Sequence, residues 1–171
     1  MVIALSLASL SATAGVLIET RALTVDGKPR TYFVYQPAAE DAGTLRPLLL
    51  LLHGSQSSGR ELLNEWIEIA DHAGVILLAP NATTPVGWRI REDGPDYLHA
   101  VIDDFATRST FDRRRLYLFG ISGGAVHALT IGSLASWIGV AIGLAAFLLR
   151  IRIEERLMAS SMYCCVTGLM I

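Results

Sequence analysis

The chain has 171 residues, of which 52% are hydrophobic and 18% charged, and it carries a net charge of −2 at pH 7. That length holds one domain with a real core and is too short for two of ordinary size. The charge balance excludes a nucleic-acid surface, and the apolar content excludes a disordered solvating chain. The basic residues are 13 Arg and one Lys, and the run Arg113-Arg114-Arg115 reads as a solvated turn ahead of a strand. Cys164 and Cys165 are adjacent, which disfavours a mutual bridge and does not match metal-ligand spacing. No metal and no cofactor is expected.

In chain order, Val2 to Leu10 is almost wholly apolar and Ala12-Thr13-Ala14 precedes Gly15, so residues 1–14 read as a cleaved secretion signal. A short core β-element is the alternative, because no Lys or Arg precedes Arg21. The signal implies a secreted or periplasmic protein. Residues 18–25 and 31–35 are β-type runs around Asp26-Gly27, a strong hairpin turn signal. Residues 37–46 read as a loop. Leu48 to Leu52 is an unbroken leucine run cut off at His53-Gly54, the pattern of a strand buried on both faces.

Helical spacing of Leu62, Leu63, Trp66, Ile67 and Ala70 predicts a helix over 59–73, capped by Gly74. A buried strand follows at 75–79, stopped by Pro80, then a long loop at 81–95 carrying Trp88. A second helix is predicted over 96–109 and a third buried strand over 115–119. That strand runs into Gly120-Ile121-Ser122-Gly123-Gly124, a Gly-x-Ser-x-Gly pentapeptide that opens a further helix. Residues 128–149 carry no charge over 22 positions, long enough to span a bilayer. Gly132, Gly139 and Gly143 instead favour a helix ending near 136 followed by a buried strand at 140–144, with the membrane span as the rival.

This alternation predicts an α/β domain, a mostly parallel sheet with helices on both faces and an N-terminal β-hairpin. In such sheets ligands sit at the carboxyl ends of strands. His53-Gly54, Asn81 and Ser122 all follow a strand end, so three loops converge on one place. A sharp strand-to-helix reversal needs small residues at Gly120 and Gly124 and holds Ser122 in a strained conformation with its hydroxyl presented. Backbone N–H groups of Gly123 and of Ser55, with Gln56 as a further candidate, are placed to receive an oxyanion, and Gly54 lets their loop come close. His53 reads as shaping that loop, with a general-base role as the alternative. Trp88 reads either as lining a pocket or as pinning its own loop. His127 reads as a packed helix residue directed away from the hydroxyl, and His72 and His99 as surface positions. Asp103 and Asp104 read as helix surface, Asp112 as a turn cap and Glu154 and Glu155 as a solvated face.

The segments LLLLLHGSQSSG at 48–59, LLAPN at 77–81, PVGW at 85–88 and DRRRLYLFGISGG at 112–124 together resemble the α/β-hydrolases. The likeness is greatest to the secreted polyhydroxybutyrate depolymerase and feruloyl-esterase-like group. It implies a carboxylic-ester hydrolase acting through a Ser122 acyl-enzyme on a small or polymeric ester, with Ser55 and Gly123 as oxyanion donors. In that family an Asp and then a His follow the serine, and here no Asp follows Ser122 and the only later His is His127. Residues 15–147 therefore read as a partial hydrolase domain lacking the last strands, with 148–171 an atypical tail. A catalytically inactive truncated hydrolase and a protein tethered to a membrane by 128–149 are the alternatives. An early sheet edge also predicts self-association.

Overall fold

The computed structural model describes residues 17–38 and 43–134, and 139–143 as backbone. Within them lie six strands and three helices. A hairpin of β1 (Glu19–Val25) and β2 (Lys28–Tyr35) comes first. Asp26 and Gly27 have φ of 51° and 73°, the two left-handed positions that a two-residue hairpin turn requires. The central strands β3 (Leu48–Leu52), β4 (Ile76–Pro80), β5 (Leu116–Ile121) and β6 (Gly139–Gly143) run parallel to one another. The sheet order is β1-β2-β4-β3-β5-β6, with β2 antiparallel to β4.

Helices α1 (Gly59–Ala73), α2 (Pro95–Ala106) and α3 (Gly123–Leu134) supply the crossovers. The leucine run explains why the strand is central. Leu48, Leu50 and Leu52 pack with Tyr97, Leu98, Val101, Ile102 and Phe105 of α2 and with Ala128 and Ile131 of α3. Leu51 points to the other face, against Leu62, Leu63, Trp66 and Ala70 of α1. Four of these five leucines are wholly buried, each contributing roughly 1.5–3 kcal/mol as an upper bound.

Helix α1 begins at Ser58, whose hydroxyl accepts from the Glu61 N–H while the Glu61 carboxylate accepts from the Ser58 N–H. It ends at Gly74 in the left-handed region, φ 61°.

Several boundaries differ from the sequence reading. Pro80 is the last residue of β4 rather than the stop beyond it, at a strand end where its missing N–H costs little. Pro95 is the first residue of α2 rather than the last of the loop, where its fixed φ suits a helix start. The 128–149 run divides as its glycines suggested. α3 is described to Leu134, and β6 pairs with β5 from Gly139↔Tyr117 to Gly143↔Ile121. Among the described residues no helix is long and apolar enough to cross a membrane. The leader at 1–14, the tail at 148–171 and the cysteine pair lie outside the described residues.

From β3 the chain crosses to β4 on one side, then returns past β3 to β5 on the other. That reversal opens a crevice beyond the carboxyl ends of β3 and β5, where ligands bind in open parallel sheets.

Candidate active site

Ser122 occupies that crevice, between the end of β5 and the first residue of α3, and it is exposed. Its φ of 53° lies in the left-handed region, a conformation that costs a serine about 1–3 kcal/mol and persists only where the surroundings impose it. Two contacts impose it. A Cβ on Gly120 would fall onto the Gly124 carbonyl oxygen, and a Cβ on Gly124 would fall onto the Leu52 carbonyl oxygen and 2.6 Å from that of His53. The reversal is thus as tight as the backbone allows, and both glycines are required by close approach. The N–H groups of Ala125 and Val126 donate to the Ser122 carbonyl at 3.0 and 3.2 Å, closing the first turn of α3. The N-terminus of that helix, with its partial positive charge, begins at the residue after Ser122.

The loop after β3 forms the other wall. A Cβ on Gly54 would sit 3.5 Å from the Ser122 Cβ. The Ser55 nitrogen lies 3.6 Å, and its Oγ 2.7 Å, from where a Cβ on Gly123 would be. Covalent geometry then keeps the Ser55 and Gly123 nitrogens within about 6 Å of each other, so one oxygen can receive both N–H groups at hydrogen-bond distance. Neither N–H has an acceptor among the described residues.

Gln56 requires a correction. Its backbone N–H donates to the Pro85 carbonyl at 2.7 Å, and its φ is 62°, so that N–H is committed to holding the loop and is not free for an oxyanion.

His53 is corrected as a possible base by its two hydrogen bonds. Nδ1 donates to the Gly54 carbonyl at 2.8 Å and Nε2 accepts from the Ala82 N–H at 3.1 Å, which fixes the neutral tautomer. Both nitrogens are used, and the ring ties the loop after β3 to the loop after β4. His127 is buried, and its Nε2 donates to the Asp93 carbonyl at 2.8 Å. Between them stands Trp88. Its indole N–H donates to the His53 carbonyl at 2.7 Å, and its ring lies 4.9 Å from that of His53 and 5.3 Å, nearly parallel, from that of His127. Trp88 therefore clasps the loop after β3 to α3, contacts that fit the pinning reading.

An ion pair that the sequence reading missed anchors this rim. Asp93 is wholly buried and accepts from Arg30 Nη2 at 2.6 Å, from the Thr83 N–H and hydroxyl at 2.9 and 2.6 Å and from the Arg89 N–H at 2.8 Å. Arg30 also donates to the Glu92 and Asn81 carbonyls and stacks 3.5 Å over the Tyr97 ring. The pair joins residues 63 apart, so no local pattern announces it. Asp104, read as helix surface, has a partner too, and Asp112 makes the turn contacts its cap reading requires. Asp104 accepts from the Tyr32 hydroxyl, and Asp112 accepts from the Arg114 N–H and the Arg115 guanidinium.

Burial holds both His53 and His127 below the ordinary imidazole range. In the unfolded chain each titrates near 6.5, so below that pH the unfolded state binds more protons than the folded one. Their contribution to stability is complete above about pH 6.5 and is lost as pH falls from there towards the folded values. Melting temperature should therefore decline between pH 7.5 and 5.5, each histidine adding a slope of at most about 1.4 kcal/mol per pH unit. The His53→Gln and His127→Gln variants should each show a shallower decline, and an unchanged slope in both would contradict this assignment.

No protein-family model matches the chain. It is 28% identical over 146 residues to a poly(3-hydroxybutyrate) depolymerase of Ralstonia pickettii, covering 72% of this chain and 30% of that protein. The structure is similar to that of a poly(3-hydroxybutyrate) depolymerase from Bordetella parapertussis, with a TM-score of 0.61 and 18% identity over 74% of this chain and 50% of that one. An S-formylglutathione hydrolase from Agrobacterium tumefaciens matches with a TM-score of 0.59 and 15% identity, covering 76% and 57% of the two chains. The chain thus spans about a third of the curated relative and half or slightly more of these solved structures. The fold is that of the α/β-hydrolases.

Proposed function

We propose that this chain carries the acylation site of a secreted or periplasmic carboxylic-ester hydrolase, with Ser122 as nucleophile and a hydroxyalkanoate ester, small or polymeric, as substrate. One observation carries the reading: an exposed serine held at φ 53° beside two N–H groups with no acceptor among the described residues. A strained, solvent-facing serine has no packing purpose, and two free donors flanking it suit an oxygen that becomes negative during attack. In the acylation step the Ser122 Oγ–carbon bond forms and the carbonyl π pair moves onto oxygen, where Ser55 and Gly123 N–H receive it. The serine proton passes to a base, collapse re-forms the carbonyl and breaks the carbon–oxygen bond to the leaving group, and the base returns the proton so that the alcohol departs neutral. The relatedness to a named depolymerase supports the substrate class.

A second reading, an acyl acceptor without turnover, is favoured by the histidines. The chain has four. His53 and His127 are bound to backbone as described, while His72 and His99 are exposed on α1 and α2.

The two readings separate in one assay of p-nitrophenyl acetate with the purified chain and its Ser122→Ala variant. Serine-dependent multiple turnover supports the hydrolase, and a serine-dependent burst of one equivalent supports the acyl acceptor. Equal release by both proteins rejects the nucleophile.

A further inference from the structure

We infer that the side chain of Ser55, and not only its backbone N–H, donates a hydrogen bond to the oxyanion at Ser122. The inference rests on the acylation reading above and extends it to the exposed hydroxyl of a residue whose backbone already lies beside Gly123. The Ser55 Oγ makes no hydrogen bond among the described residues. It is seated against two glycines, lying 2.7 Å from the Cβ position of Gly123 and 3.1 Å from that of Gly87. A side chain at either place would press on the hydroxyl, so both neighbours are reduced to backbone where the oxygen rests. From there Oγ is within about 5 Å of the Gly123 nitrogen, and an oxygen accepting from that N–H is also within reach of the Ser55 hydroxyl.

The loop is stiff enough to keep the hydroxyl in place. Gln56 N–H is fixed to the Pro85 carbonyl, Gly87 N–H donates to the Thr84 carbonyl at 3.2 Å, and the Thr84 hydroxyl donates to the Gly87 carbonyl at 3.2 Å. The Gln56 N–H is thereby withdrawn from the site, leaving two backbone donors. A hydroxyl supplies the third and, unlike a backbone N–H, can be removed without altering the chain path. As the carbonyl π pair moves onto oxygen, the hydrogen bond from Ser55 strengthens with the developing charge, which accelerates the step.

The test uses an alkyl fluorophosphonate, which reproduces this step in one irreversible event. The Ser122 Oγ–phosphorus bond forms, the phosphorus–fluorine bond breaks and fluoride leaves. The serine proton passes to a buffer base, and the phosphoryl oxygen takes the place of the oxyanion. Second-order labelling rates are measured for wild type, Ser55→Ala, Ser55→Thr and Ser122→Ala, with melting temperatures alongside. Ser55→Ala should be slowed about 10- to 100-fold at an unchanged melting temperature, while Ser55→Thr stays within about 3-fold of wild type. Labelling of Ser55→Ala at the wild-type rate would overturn the inference, as would equal slowing of the Ala and Thr variants or attachment of the label to Ser55. Wild type that does not label, or Ser122→Ala that labels equally, would instead overturn the acylation reading on which this one stands.

Discussion

Asp93→Ala is expected to lower the melting temperature by on the order of 10 °C, in thermal unfolding followed by circular dichroism. The Arg30 and Asp93 side chains are 6% and 0% exposed, so removing the carboxylate strands a guanidinium inside the protein. Breaking a buried pair from one side costs about 3–5 kcal/mol, a large part of the stability of an ordinary domain. The loss also reaches the functional rim. Asp93 holds Thr83 and Arg89 on either side of Trp88 in its loop, and its own carbonyl accepts a hydrogen bond from His127 Nε2. Arg30→Met strands the Asp93 carboxylate in its turn but should cost less, because that carboxylate keeps the Thr83 N–H, the Thr83 hydroxyl and the Arg89 N–H. Equal losses from the two variants would mean that the pair acts only through its mutual attraction, and no loss from either would remove it as an anchor.

Gly124→Ala is expected to be at least as damaging, by about 3 kcal/mol or more, and to abolish the site along with the stability. Its Cβ would meet two successive backbone carbonyls, those of Leu52 and His53, in the strand and loop that carry Ser55. Neither oxygen can swing away as a side chain would, so α3 must lift from β3 and carry Ser122 with it. Insoluble expression or a melting temperature reduced by roughly 10 °C would agree with this account. A soluble variant of wild-type stability would show that the reversal is looser than its geometry implies.

How much of this was legible in the sequence depended on how local its cause was. The leucine run at 48–52 announced the central strand because burial on both faces needs apolar residues at every position. Asp26-Gly27 announced its turn because few other residue pairs accept two positive φ values. Gly120, Ser122 and Gly124 were legible for the same reason, since the steric demand lies within five residues. Arg30 and Asp93 were not, because an arginine in a strand and an aspartate in a loop look like ordinary surface residues until the fold brings them together. Gln56 was misread for a related reason. Its neighbour Ser55 and the Gly-rich context suggested a free donor, whereas the Pro85 carbonyl that claims its N–H comes from a loop 29 residues on. Trp88 left two readings open, and its contacts to His53 and His127, 35 and 39 residues away, were not legible in the sequence.

The most direct test of the central claim, that this backbone exists to present Ser122 as an acyl acceptor, is to find the acyl group. The purified chain is mixed with p-nitrophenyl acetate, quenched in acid within the first turnover and mapped by peptide mass spectrometry. The account predicts one acetyl group per chain, attached to Ser122 and absent from Ser122→Ala. Acetylation spread over surface nucleophiles, or a chain that remains unmodified, would contradict it.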